Sequence, residues 1–135
     1  ETFYTMCSGG LGYGLPAAVG VAMAKPDRKV IGLIGDGSAM YSIQAMWSAA
    51  QLQLPITFII LKNRRYAALQ EFAPTFGFHE GDKLEGTELP DLDFLALARG
   101  QGCEAVRVSD ARQLATVLRE ALAHPRAMLV EVDVA

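Results

Sequence analysis

Two uninterrupted apolar runs, Val-Ile-Gly-Leu-Ile over residues 30–34 and Ile-Thr-Phe-Ile-Ile-Leu over residues 56–61, flank one amphipathic segment. Short runs without polar alternation, bounded by turn residues, are the pattern of strands covered on both faces. Between them Ile43, Met46, Trp47, Ala50 and Leu54 recur at helical spacing and form an apolar stripe, on which core packing is the expected job of Trp47. Pro55 stops that helix. Strand, helix and strand in this order require a crossover connection, hence a parallel pair joined by a right-handed unit.

The same alternation continues to both ends. A helix over 15–24 is entered through Pro16, where the missing N–H costs nothing, and Pro26-Asp27 ends it. Residues 66–76 read as a further helix, with Pro74 in tension with its last turn. From 77 to 90 the chain turns polar and glycine-dotted, the composition of a surface loop long enough to act as a lid. A short helix over 93–99 precedes Gly100, and a strand over 103–108 follows. Asp110 and Gln113 predict a capping box for a helix whose face is Leu114, Val117, Leu118, Ala121 and Leu122, and a last strand spans 128–134. The expected fold is therefore α/β, a doubly wound parallel sheet with helices on both faces. Ligands of such sheets bind beyond the carboxyl ends of the strands.

A chain of 135 residues with 51% hydrophobic content is one domain by length and can bury a core. Its formal charge of −3, with no basic cluster longer than Arg64-Arg65, argues against a nucleic-acid or membrane surface and for small-molecule chemistry. No apolar stretch reaches the length of a spanning helix. Cys7 and Cys103 lack the close spacing of a zinc or thiol-redox motif, which fits a reducing cytoplasm. The chain begins without Met and opens at once into structured-looking sequence, so it reads as a fragment of a longer polypeptide.

Asp36 follows the first apolar run, inside Gly35-Asp-Gly-Ser38, and Asn63 closes the second. Two oxygen ligands thus end two consecutive strands. Carboxylate and amide oxygens suit a hard cation such as Mg2+, whose remaining positions substrate phosphates would fill. A diphosphate brings its own negative charge, so one carboxylate with neutral oxygens balances the ion. Gly37, lacking Cβ, lets the backbone approach a phosphate closely. Upstream, Gly9-Gly-Leu-Gly-Tyr-Gly14 forms a glycine-rich loop. Gly-Asp-Gly alone is also an ordinary strand-end turn, and it is the pairing with Asn63 that favours the metal.

Gly9-Gly-Leu-Gly-Tyr-Gly-Leu-Pro-Ala-Ala18, Gly35-Asp-Gly-Ser-Ala-Met-Tyr-Ser42 and Lys62-Asn-Arg-Arg-Tyr-Ala-Ala-Leu69 resemble the C-terminal, cofactor-binding domain of thiamine diphosphate-dependent 2-oxoacid decarboxylases, most nearly the benzoylformate-decarboxylating branch. The likeness covers essentially all of residues 1–135. It implies that Asp36 and Asn63 are side-chain ligands of Mg2+, with the Arg65 backbone carbonyl as third protein ligand. It implies that Gly35, Gly37 and Ser38 border the diphosphate. By the same likeness, Leu11 wedges thiamine diphosphate into a bent shape, the Gly9 carbonyl accepts a hydrogen bond from its pyrimidine amino group, and Ala68 and Phe72 face the substrate pocket.

The resemblance further implies that the activating glutamate and the catalytic histidines come from elsewhere. The glutamate would belong to the N-terminal, pyrimidine-binding domain of a neighbouring subunit in a homodimer or homotetramer, leaving no catalytic residue in this chain. Glu71 and Glu80 do not match it, and His79 in its polar loop stays unassigned. Arg64-Arg65 departs from the short side chains found in relatives. These cations would either contact phosphate or, as the usual exposure of Arg favours, face solvent or a subunit. Three alternatives stand beside the decarboxylase: an acetolactate synthase-like carboligase, a noncatalytic binding module, and a dinucleotide-binding domain. The last is opposed by the alternating Gly10, Gly12 and Gly14, which do not give Gly-x-Gly-x-x-Gly.

Overall fold

The computed structural model describes residues 3–5, 8–79 and 81–134; Cys7 and Glu80 lie outside them. Strands β1 (Val30–Gly35), β2 (Ile56–Lys62), β3 (Glu104–Val108) and β4 (Met128–Asp133) fall where the apolar runs place them. They form one sheet in the order β1-β2-β4-β3, and every pairing is parallel. The register sets Gly35 beside Leu61 and Lys62 beside Asp133, so the residues that leave β1 and β2 emerge at the same rim.

Helices α1 (Gly14–Ala24), α3 (Ala45–Gln51) and α5 (Phe94–Gly100) share one core cluster with the sheet, built on Leu15, Met46, Phe58, Ile60, Phe94 and Leu129. Each large side chain removed from water in this way contributes about 1.5–3 kcal/mol. Helix α6 (Ala111–Ala123) makes a second cluster with Val108, Val130 and Val132. Helices therefore lie on both faces, as expected.

Coverage of the sheet is uneven, which corrects the expectation for residues 30–34. Strand β1 is an edge strand, and its Ile31 and Leu33 are 53% and 65% exposed, while Val30 and Ile34 are buried. A continuous apolar run allows burial of both faces without supplying the element that buries the second. Trp47 is a further correction, being 55% exposed. Adjacent positions on a helix diverge by about 100°, and the stripe that packs inward is Ala45, Met46 and Ala49. Small residues there let α3 pack closely against α1.

The helix expected over 66–76 is split into α4 (Ala67–Phe72) and a 3-10 turn (Ala73–Phe76), because Pro74 lacks the N–H that an α-helix needs. Asp93 caps α5, accepting N–H bonds from Leu95 and Ala96 at 3.0 Å each; the Ala96 bond comes first in holding its carboxyl below the usual carboxylate range. Asp110 caps α6, but its partner is Arg112, through both the backbone N–H and the guanidinium, and the expected side-chain return from Gln113 is replaced by that fork. Among the described residues no helix is long and apolar enough to cross a membrane.

Candidate functional site at the rim of strands β1 and β2

A short helix that periodicity did not foretell, α2 (Asp36–Met40), begins directly at the end of β1. Asp36, Gly37 and Ala39 are buried in it. The Asp36 carboxylate is only 3% exposed. One of its oxygens accepts the Gly37 N–H at 2.9 Å, and the other accepts the Arg64 N–H at 2.7 Å. That second bond crosses from the end of β1 to the turn after β2, so one carboxylate ties both strand ends together. Asn63 precedes Arg64 in the same turn, its Oδ1 accepting the Arg65 N–H at 3.1 Å.

Residues 64–66 are pinned from outside by the 77–90 loop, whose far end makes an antiparallel bridge between Glu88 and Arg65. The Tyr66 N–H donates to the Thr87 carbonyl and the Leu89 N–H donates to the Arg64 carbonyl, each at 2.7 Å. In such a bridge the intervening residue turns its own N–H and carbonyl the other way. Arg65 accordingly directs its N–H at Asn63, and its carbonyl takes no hydrogen bond among the described residues. Asp36, Asn63 and the Arg65 carbonyl are all hard oxygen donors with lone pairs to spare, which fits Mg2+. Among the described residues no group of three or more His, Cys, Asp or Glu could hold a metal ion.

The glycine loop is stitched to α2. The Gly12 N–H donates to Ser38 Oγ at 3.1 Å, and Ser42 Oγ donates to the Gly12 carbonyl at 2.6 Å. Gly12 has φ +83°, and a Cβ there would meet Tyr41 at 2.7 Å, so only glycine fits. Gly9 and Leu11 lie exposed in this loop, Leu11 at 49%. Gly35 is exposed at the end of β1. At Gly37 a Cβ would come within 2.4 Å of the Tyr66 ring, which leaves that backbone bare of any side chain. Tyr66 and Tyr41 meet edge to face at 6.5 Å between ring centres. Burial first, then Tyr41 and the Asp36 charge, raise the Tyr66 hydroxyl above its ordinary value.

Ala68 and Phe72 both lie exposed on α4, Phe72 at 62%. His79 is exposed and unattached to the rim, 3.8 Å from Asp82. The open cavity of about 640 Å3 beneath the 77–90 loop is lined by none of the candidate site residues. Arg64 is exposed, as its residue type leads one to expect, with 53% of its side chain open to solvent, and its guanidinium also pairs with Asp133 at 2.5 Å. Sequence reasoning also missed the buried Glu131, held between Lys62 and Arg107, which fastens the rim ends of β2, β3 and β4. The Gly12 clamp uses Ser38 on α2 and Ser42 just beyond the end of that helix, two serines four apart in the sequence.

Residues 1–132 match the family described as thiamine pyrophosphate enzyme, C-terminal TPP binding domain. The chain belongs to that family. It is 50% identical over 131 residues to a benzoylformate decarboxylase of Pseudomonas aeruginosa, covering 97% of this chain and 24% of the relative. It is 33% identical over 132 residues to the acetolactate synthase isozyme 1 large subunit of Escherichia coli, covering 96% and 23%. Among solved structures, the thiamine diphosphate-dependent 4-hydroxybenzoylformate decarboxylase of Rhodococcus jostii superposes with a TM-score of 0.86 at 48% identity, over 93% of this chain and 23% of that one. The benzoylformate decarboxylase of Polynucleobacter necessarius gives 0.90 at 33% identity, over 99% and 25%. The chain thus spans about a quarter of the length of the relatives it matches. The fold and the thiamine pyrophosphate-binding assignment read from the three sequence motifs hold.

Proposed function

We propose that this chain is the diphosphate- and Mg2+-binding part of an enzyme that decarboxylates a 2-oxoacid of the benzoylformate type to an aldehyde. The observation that carries the reading is the Asp36 carboxylate reaching from β1 to the Arg64 N–H, which brings the two strand ends to one point. Asp36, Asn63 and the Arg65 carbonyl hold the ion. Gly35, Gly37 and Ser38 border the diphosphate; the Ser38 oxygen accepts from Gly12 and its hydroxyl proton remains to donate. Bound thiamine diphosphate supplies the electron sink for loss of CO2. The chain's own work would be to anchor the cofactor tail, with Leu11 and the Gly9 carbonyl bearing on the bound cofactor and Ala68 and Phe72 walling the substrate.

No residue of this chain is given a catalytic role in this reading; the activating glutamate would come from the N-terminal domain of a neighbouring subunit in a homodimer or homotetramer working in the cytoplasm, which would make the active site composite. The 135 residues alone should show almost no turnover of a 2-oxoacid, and a rate near that of whole enzymes would contradict this. Likeness to acetolactate synthases keeps carboligation as the second reading, and a panel of aryl and aliphatic oxoacids given to the complete enzyme decides between them. The reading itself is tested by titrating that enzyme with thiamine diphosphate, with and without Mg2+, and separately with NAD. Tight, Mg2+-dependent binding of thiamine diphosphate is the expected result, and tight binding of NAD in its place overturns the proposal.

A further inference from the structure

Arg64 has φ +61°, in the left-handed region that side chains seldom occupy. The strain falls at the first residue after Asn63, inside the turn that gathers the oxygen donors. Three bonds hold the conformation. The Arg64 N–H donates to Asp36, its carbonyl accepts from Leu89, and its guanidinium pairs with Asp133, the last residue of β4. Lys62 lies beside Asp133 in the sheet register, so the ion pair reaches back over the strand end from which the turn departs.

We propose that Arg64 is a positioning residue for the metal-binding turn, its left-handed backbone latched by Asp133. An extended residue at 64 would carry the chain straight on and take Arg65 away from Asn63. The left-handed residue reverses it, so that Asn63 Oδ1 receives the Arg65 N–H and the Arg65 carbonyl stays free of the pairing with residues 87–89. The charge of Arg64 acts at a distance from any ligand, through Asp133, and its backbone does the positioning. The inference rests on the Mg2+-diphosphate reading given above and adds to it a role for the Arg64 side chain, which that reading leaves unassigned.

The test uses the full-length enzyme and reads the Mg2+ concentration that half-saturates thiamine diphosphate binding, followed by tryptophan fluorescence or calorimetry. Glycine adopts the left-handed turn without strain, so Arg64→Gly should bind as the parent does or more tightly. Arg64→Ala keeps the strain and loses the latch, and should need about threefold to fivefold more Mg2+, the size of an exposed ion pair. Asp133→Ala should match it, and should have no further effect in the Arg64→Gly background. Arg64→Val, β-branched, should need about tenfold more or beyond. Melting temperatures measured in parallel separate a loosened turn from a misfolded variant, and the Gly and Ala pair alone decides should Val fail to fold. Equal losses in the Gly and Ala variants would make Arg64 a direct phosphate contact and overturn the inference. So would parent-like values in all variants. If the parent enzyme itself shows no Mg2+-dependent binding, the underlying functional reading falls, and this inference with it.

Discussion

The α2 rim and the α4 ridge are two short helical stretches that both bear on the proposed site, and they differ in what they bury. Helix α2 has five residues, three of them buried, and its Asp36 and Ser38 side chains accept hydrogen bonds from within the chain. Helix α4 has six residues and buries none; Leu69, Phe72 and Phe76 stand 56%, 62% and 78% exposed along it and the turn that follows. A site that grips an ion can be completed locally, because a carboxylate and a few backbone groups satisfy each other over one or two hydrogen bonds. An apolar pocket wall is finished only when something covers it, since apolar surface gains stability by leaving water. The contrast accords with a composite active site whose anchoring half is in this chain.

That contrast can be broken by mutation. Phe58, fully buried on the strand that leads to Asn63, should cost about 3–5 kcal/mol when changed to Ala, whereas Phe72→Ser on the ridge should stay within about 0.5 kcal/mol, as surface changes do. Urea unfolding of both variants checks the difference, and comparable losses would show that α4 is packed as firmly as the rim. Asp36→Ala should weaken Mg2+-dependent cofactor binding in the complete enzyme by about a hundredfold or more, beyond the loss typical of a residue that merely supports a ligand. His79→Ala should leave that titration unchanged.

Gly37→Ala presses a methyl group onto the Tyr66 ring and should destabilise the chain by about 1–3 kcal/mol. A cleared ring tests the cause: Tyr66→Ala introduced alongside it should recover part of that loss. The smallest effect is expected at Cys103, whose thiol is pushed up to about 11 by burial. An unfolded thiol titrates near about 8.5, so the stability gained by keeping it neutral is complete below that pH and is lost as pH rises towards the folded value. Unfolding midpoints at neutral and alkaline pH should therefore converge in Cys103→Ala relative to the parent.

Most of the strand and helix order was legible because it depends on residues acting locally: apolar runs make β1 and β2, and Asp93 and Asp110 cap α5 and α6, although α3 ends at Gln51, ahead of Pro55, with Gln53 in a left-handed conformation. What stayed hidden depends on distant neighbours. Ile31 and Leu33 look like core until the sheet order makes β1 an edge. Helix α2 is too short for periodicity to register. Nothing local pairs Lys62 with Glu131, yet they are buried against each other from strands far apart in sequence. The candidate metal ligands could be named as residue types at a spacing; the hydrogen bond that the Arg64 N–H donates to Asp36 could not, because it is made by the register of two strands.

The most direct test is a crystal structure of the full-length enzyme with thiamine diphosphate and Mg2+. The account predicts an octahedral ion bound at about 2.0–2.1 Å by Asp36, Asn63 and the Arg65 carbonyl, bridging them to the diphosphate. An ion held by other residues, or a diphosphate seated away from the joined ends of β1 and β2, would contradict it.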